Sequence, residues 1–230
     1  MPGRCARSSS GPTRSNRSTF GDPTPRSTGR CAMPAERSVP PTHHGPSGVA
    51  AAGDGVVVVP MRRRHLRGVV DIENRTNHRP WSLSLFQGEL RMPTSRRYVV
   101  ALDGHRVVGF AGLMLTGFEG HITNVAVDPD HRRRHIATRM LLVLFREALA
   151  LDVEDLTLEV RVTNRGAQDL YRGFGFSPGG VRPNYYNDIK EDALIMWAHG
   201  IGTDEGRARL DALTDALPVA LAELVVDRAG

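Results

Sequence analysis

Val125-Ala126-Val127-Asp128-Pro129-Asp130-His131-Arg132-Arg133-Arg134-His135-Ile136-Ala137 is the stretch on which the fold turns. An apolar run stops at Asp-Pro, and four basic residues then open a periodic apolar segment. His121 to Val127 predicts a strand; Arg133 to about Leu151 predicts a long helix with Ile136, Met140, Leu141, Leu144 and Leu149 on its buried side. A helix N-terminus already presents free N–H groups and a positive partial charge, so basic side chains there oppose the macrodipole. A phosphate-bearing ligand held by the first-turn amides compensates that charge. A solvated basic patch is the plain alternative.

Upstream, Val56 to Val59 predicts a strand. Met61 to about Thr76 predicts a helix with Leu66, Val69, Val70 and Glu73 at turn spacing. Ser82 caps a second helix whose apolar face is Leu83, Leu85, Phe86 and Leu90. Tyr98 to Leu102 and Val107 to Leu115 are strands joined at Asp103-Gly104, a strong hairpin signal. Downstream, Leu156 to Val162 alternates cleanly, with Leu156, Leu158, Val160 and Val162 on one face and Thr157, Glu159 and Arg161 on the other. Asn164 caps a short helix to about Phe174, and Phe176 to Val181 and Ala193 to Ala198 close the sheet. Helices segregated from a largely meandering sheet make the class α+β rather than doubly wound. The last thirty residues carry Leu210, Leu213, Leu217, Leu221 and Leu224 around a kink at Pro218, read as an accessory C-terminal helix.

Of the 230 residues, 40% are hydrophobic and 24% charged, enough apolar side chain for an ordinary core. No apolar run approaches the roughly 20 residues that span a bilayer, so no membrane partner is expected. The net charge is +5, but residues 1 to 55 hold seven arginines against Asp22, Glu36 and Asp54, a net of +4 that leaves +1 for everything after. Direct nucleic-acid binding is therefore not expected apart from the basic tail. That tail is rich in Ser, Pro, Gly, Thr and Arg, which predicts disorder. It lacks the apolar core of a secretory signal, and its Pro and Gly interrupt the amphipathic helix of a transit peptide. Cys5 and Cys31 both lie in it, so the remainder has no cysteine nucleophile, thiolate metal site or disulfide, and a reducing cytoplasm is expected. No metal-ligand spacing or phosphate-binding loop occurs, and Gly173-Phe174-Gly175 ends a helix instead of opening one. The expected division is a tail over 1–55, a folded domain over 56–199 and the accessory helix over 200–230.

Val125 to Pro129 followed by Arg132 to Ala137 resembles the acetyl-CoA motif of the GCN5-related N-acetyltransferases (GNAT): strand, Pro turn, Arg/Gln-x-x-Gly-x-Gly/Ala, helix. The resemblance implies the GNAT fold, a mixed and mostly antiparallel twisted sheet flanked by helices, with acetyl-CoA as cosubstrate and no metal. Val125, Ala126 and Val127 would form the edge that receives pantetheine, and Arg133, Arg134, His135, Ile136, Ala137 and Thr138 would surround the pyrophosphate. His135 stands where the pattern has its first glycine; a side chain there either crowds the diphosphate or donates a hydrogen bond to it. Leu158-Glu159-Val160-Arg161-Val162-Thr163-Asn164, then Ala167, Leu170-Tyr171 and Gly175-Phe176, resembles the ribosomal-protein-alanine N-acetyltransferase branch known as RimI. Arg79-Pro80-Trp81-Ser82 and Arg182-Pro183-Asn184-Tyr185-Tyr186 through Glu191-Asp192-Ala193 resemble it too. The branch implies Glu159 as proton acceptor, Tyr171 as proton donor to the departing thiolate and Asn164 at the cofactor. Its partner would be a protein N-terminus, the alanine of a small-subunit ribosomal protein.

The residues suit that chemistry independently. An α-amine has a pKa near 7.7 to 8.0 and attacks a thioester only as the free base, so a carboxylate such as Glu159 has a proton to accept. A phenol with pKa near 10 stays protonated and can return one. Against these stand plain readings: Glu159 as a surface charge, Tyr171 as a core ring, Asn164 as a helix cap. Glu119, with His121, is the reserve base, and Tyr185-Tyr186 is either a peptide entrance or a hairpin loop. A small-molecule amine acetyltransferase shares the cofactor half, and a non-catalytic acetyl-CoA sensor or RNA-associated module is the reading from outside enzymes.

Overall fold

The computed structural model describes residues 55–218; the tail, both cysteines, Leu221 and Leu224 lie outside the described residues. The elements are β1 (Val56–Pro60), α1 (Leu66–Thr76), α2 (Leu83–Glu89), β2 (Arg96–Asp103), β3 (Arg106–Thr116) and β4 (Glu119–Val127), followed by α3 (Ile136–Leu149), β5 (Asp155–Arg161), α4 (Arg165–Gly173), β6 (Ser177–Tyr186), β7 (Glu191–Ala198) and α5 (Asp204–Asp215). Strand alternation sends apolar side chains to both sheet faces, so both must be covered. From β2, Val99 and Ala101 enter a core with Leu141, Leu144 and Phe145 of α3. Tyr98 and Val100 enter a second core with Leu66, Val69 and Ile72 of α1 and Phe86 of α2. Three layers result, with helices on either side of one sheet. Among the described residues, no helix is long and apolar enough to cross a membrane.

The sheet order is β1-β2-β3-β4-β5-β7-β6. Every neighbouring pair is antiparallel except β4 with β5. The α+β expectation and the mixed, mostly antiparallel sheet therefore hold. The β3–β4 register shifts at Gly112, leaving Thr123 as an extra residue on β4, a bulge that re-aims the strand as it enters the site. A Cβ on Gly112 would overlap the Tyr98 ring and the Thr123 hydroxyl. Gly112→Ala is therefore expected to destabilise the protein by about 1–3 kcal/mol. An unchanged midpoint in thermal unfolding would show that the bulge gives way freely.

Several boundaries differ from the sequence reading. α3 begins at Ile136, not Arg133, because Arg133 (φ 64) and His135 (φ 55) are left-handed and cannot extend the helix backward. On α1 the buried side is Leu66, Val69, Ile72 and Glu73, while Val70 is half-buried. On α2 only Phe86 is buried, and Leu83 and Leu85 are exposed. β6 runs five residues beyond Val181, since a register shift after Arg182 lets Tyr186 pair with Glu191. α5 covers Asp204–Asp215, and the helix expected beyond the kink at Pro218 lies outside the described residues. Leu210 of α5 is buried in the core that holds α3, with Leu213 and Leu217 packed against it.

Candidate active site

β4 and β5 pair in register only at Glu119 with Asp155, Gly120 with Leu156 and His121 with Thr157. Beyond that, β4 stays with β3 as far as Val127, and β5 stays with β7 as far as Arg161. The two strands must therefore part, and a wedge opens between them. Its centre is a cleft of about 360 Å³ whose lining includes Val125, Ala126, Glu159, Asn164, Tyr171 and Tyr185. Val125, Ala126, Arg161 and Asn164 also line a second hollow. Val127, Arg132, Gly166 and Ala167 continue that hollow into a third, at the start of α3. One groove thus runs from the basic loop to the middle of the sheet.

At its outer end, Ile136, Ala137 and Thr138 open α3 with their N–H groups directed out of the helix. Arg132, Arg133 and His135 line the same hollow, and none of the residues lining it is acidic. Free amides, cationic side chains and no opposing carboxylate fit a diphosphate. His135 occupies the left-handed conformation that a glycine adopts without strain, so the missing glycine changes the side chain there and not the path of the loop. Arg134 does not join this group. The left-handed turn at Arg133 directs it to Asp103, Nη1 to Oδ2 at 3.1 Å, and Arg132 takes the place at the groove.

Asp128 holds this loop in position. Its side chain is 3% exposed, with Oδ1 2.8 Å from Arg75 of α1 and Oδ2 2.9 Å from Arg106 of β3. Oδ1 also accepts the N–H of Asp130. Burial works against the charge, but that N–H and the two arginines outweigh it and hold the carboxyl below its usual range.

At the inner end, the Glu159 side chain is 11% exposed and fully engaged. Oε2 is 2.6 Å from Nε2 of His121 across the wedge, and Oε1 is 3.1 Å from Nη1 of Arg182 on β6. The hydrogen bond from His121 and the charge of Arg182 outweigh burial and lower the carboxyl below its ordinary range. His121 is thus joined to Glu159 and not to Glu119, which is exposed at the start of β4 and does not line the cleft. Tyr171 on α4 is buried, with its ring 5.8 Å from that of Phe176. Burial, reinforced by Tyr186, raises its phenol well above the ordinary value. Its ring is core, as the plain reading expects, and the residue also lines the cleft. Asn164 caps α4, its Oδ1 accepting the N–H of Ala167, and the residue also lines the groove.

Tyr185 and Tyr186 pack edge to face at 5.1 Å and line the cleft, under Arg182 and Arg161 respectively. Burial pushes the Tyr186 phenol up to about 12. Glu73 of α1 lines the opposite wall and was not anticipated there; its Oε1 accepts the Trp81 N–H at 3.2 Å. Burial raises its carboxyl against the hydrogen bonds of Trp81 and Asn77. Its signal was a carboxylate on the core side of an amphipathic helix.

The acetyltransferase (GNAT) family matches residues 66–176. The ribosomal protein bS18-alanine N-acetyltransferase of Escherichia coli is 35% identical over 130 residues, covering 54% of this chain and 84% of its own length. A Bacillus subtilis protein given the same name provisionally is 40% identical over 142 residues, covering 60% of this chain and 91% of its own length. The crystal structure of the ribosomal-protein-S18-alanine N-acetyltransferase from Escherichia coli superposes with a TM-score of 0.58 at 29% identity, covering 63% of this chain and 93% of that one. Matched in sequence along most of those relatives and in overall fold, this chain belongs to the GNAT acetyltransferase family, in its RimI-like branch.

Proposed function

We propose that the protein transfers an acetyl group from acetyl-CoA to the α-amine of a protein N-terminus, with the N-terminal alanine of a small-subunit ribosomal protein as target. The observation that carries this is the Glu159–His121 pair, 2.6 Å apart at the inner end of a groove whose outer end suits a diphosphate. Relatives named for that substrate support the target. A cytoplasmic site of action accords with such a target. Residues 56–199 form the catalytic domain, α5 belongs to its core, and the basic tail stands outside the chemistry.

Acetyl-CoA supplies the activated acetyl group as a thioester. Arg132, Arg133, His135 and the amides of Ile136, Ala137 and Thr138 hold the diphosphate, and Asn164 with the edge formed by Val125, Ala126 and Val127 lines the path inward. Backbone N–H groups of that edge serve as donors to developing negative charge. Glu159 attracts the α-ammonium and takes the amine proton, directly or through water, while His121, 2.6 Å away, holds the carboxylate in place. Tyr171, which lines the cleft and is protonated at neutral pH, donates its hydroxyl proton to the departing sulfur.

The test is mass spectrometry of the full chain with acetyl-CoA and two peptides, one beginning with free alanine and one with that amine blocked. One acetyl group on the free peptide alone is expected. Transfer to neither, with CoA binding confirmed by titration, moves the activity to a small amine or removes it. Tyr171→Phe is expected to slow transfer roughly 10²-fold with CoA affinity kept.

A further inference from the structure

Both oxygens of Glu159 are taken in the free protein, and the two partners are not alike. His121 is 26% exposed and bonded at 2.6 Å from within the sheet. Arg182 is 52% exposed, bonded at 3.1 Å, and comes from β6, the outermost strand. It reaches Glu159 across β7, where its register neighbour is the small Ala193. An ion pair with one member half in water is weak, and its members exchange for other ions readily. A second resting place adjoins it, since the Arg182 guanidinium carbon already lies 5.1 Å from the centre of the Tyr185 ring, within cation–π range. The other titratable groups lining the cleft with Glu159 are Glu73 of α1, His78 and Arg79 after it, His121 from β4, Arg161 from β5, Tyr171 of α4, Tyr185 and Tyr186 from β6, and Asp188 in the turn after β6. Arg182 is therefore the exposed cation seated where a substrate ammonium has to arrive.

We infer that Arg182 is an exchangeable counter-ion for Glu159, displaced onto Tyr185 by the ammonium of the incoming N-terminus. This rests on the N-terminal acetyltransferase reading and adds how the site selects its substrate. Seating is then an exchange of one cation for another. A terminus with no charge cannot displace the guanidinium, so a blocked or neutral end is refused at binding, before any chemistry. Arg182 competes with the substrate, and removing it improves binding, whereas removing a residue that grips the peptide would weaken it.

The test compares the full-length wild type with Arg182→Gln and Arg182→Met, the latter keeping an aliphatic stem against Tyr185, under saturating acetyl-CoA and low salt. Either substitution is expected to lower KM for the free-alanine peptide about 2- to 5-fold, the range a weak ion pair allows. Arg182→Lys, which keeps a cation, is expected to restore KM toward the wild-type value. Loss of the guanidinium also makes Glu159 easier to protonate, so the acid limb of kcat/KM moves to higher pH in the Gln and Met variants. A raised KM means that Arg182 grips the peptide and overturns the inference; an unchanged KM means that the contact is idle and overturns it equally. In both cases wild-type transfer to the free peptide leaves the functional reading standing. A wild-type chain that acetylates no peptide overturns both.

Discussion

Glu159→Gln is expected to lower kcat for a free-alanine peptide at pH 7 by at least ~10²-fold, while CoA titrates as in the wild type. The amide fills the same volume beside His121, so the loss is one of charge and proton affinity, not of packing. Without the carboxylate, the ammonium has no counter-ion and its proton no acceptor. Only amine already deprotonated by water then reacts, so the residual rate rises about tenfold per pH unit up to the amine pKa near 7.7 to 8.0. His121→Gln should fall in the same direction, and the double variant should be no slower than the worse single one, as for residues acting as a unit. A Glu159→Gln protein with wild-type kcat removes this carboxylate from the chemistry.

Asp128→Ala is expected to damage both stability and cofactor binding. The carboxylate joins α1, β3 and the loop before α3, and three hydrogen bonds to it vanish together. Because Arg75 and Arg106 are exposed enough to rehydrate, the cost is that of lost charge-assisted bonds, about 2–4 kcal/mol. CoA affinity should drop at least ~10-fold, since the loop that carries Arg132 and Arg133 loses its anchor. The folded carboxyl lies below its unfolded value, so its stabilisation is present above pH ~4 and is lost as pH falls through the folded pKa. Asp128→Asn should therefore flatten the acid side of the wild-type stability profile. An unchanged unfolding midpoint and CoA affinity in Asp128→Ala would show that the arginines position the loop unaided.

Strands with period-two alternation were legible because burial enforces it: Leu156, Leu158 and Val160 are all inside, and Glu159 and Arg161 face the cleft. The caps at Ser82 and Asn164 were legible from short polar side chains ahead of apolar runs. The start of α3 was not, because Arg and His carry no mark of a positive φ, and Arg134 was placed at the wrong surface for the same reason. Glu159 and Tyr171 were picked out through a family pattern, whereas their partners depend on sheet order. His121 is 38 residues from Glu159 and meets it because β4 and β5 are parallel neighbours. Arg182 meets it only because β7 inserts between β5 and β6, leaving β6 at the rim.

The parting of β4 and β5 also divides the sheet into two leaves, hinged on three register pairs. A molecule lodged along both leaves is a strut as well as a reactant. Opening the hinge then requires releasing it, and one ligand at a hundred times its dissociation constant resists global unfolding by about 2.7 kcal/mol.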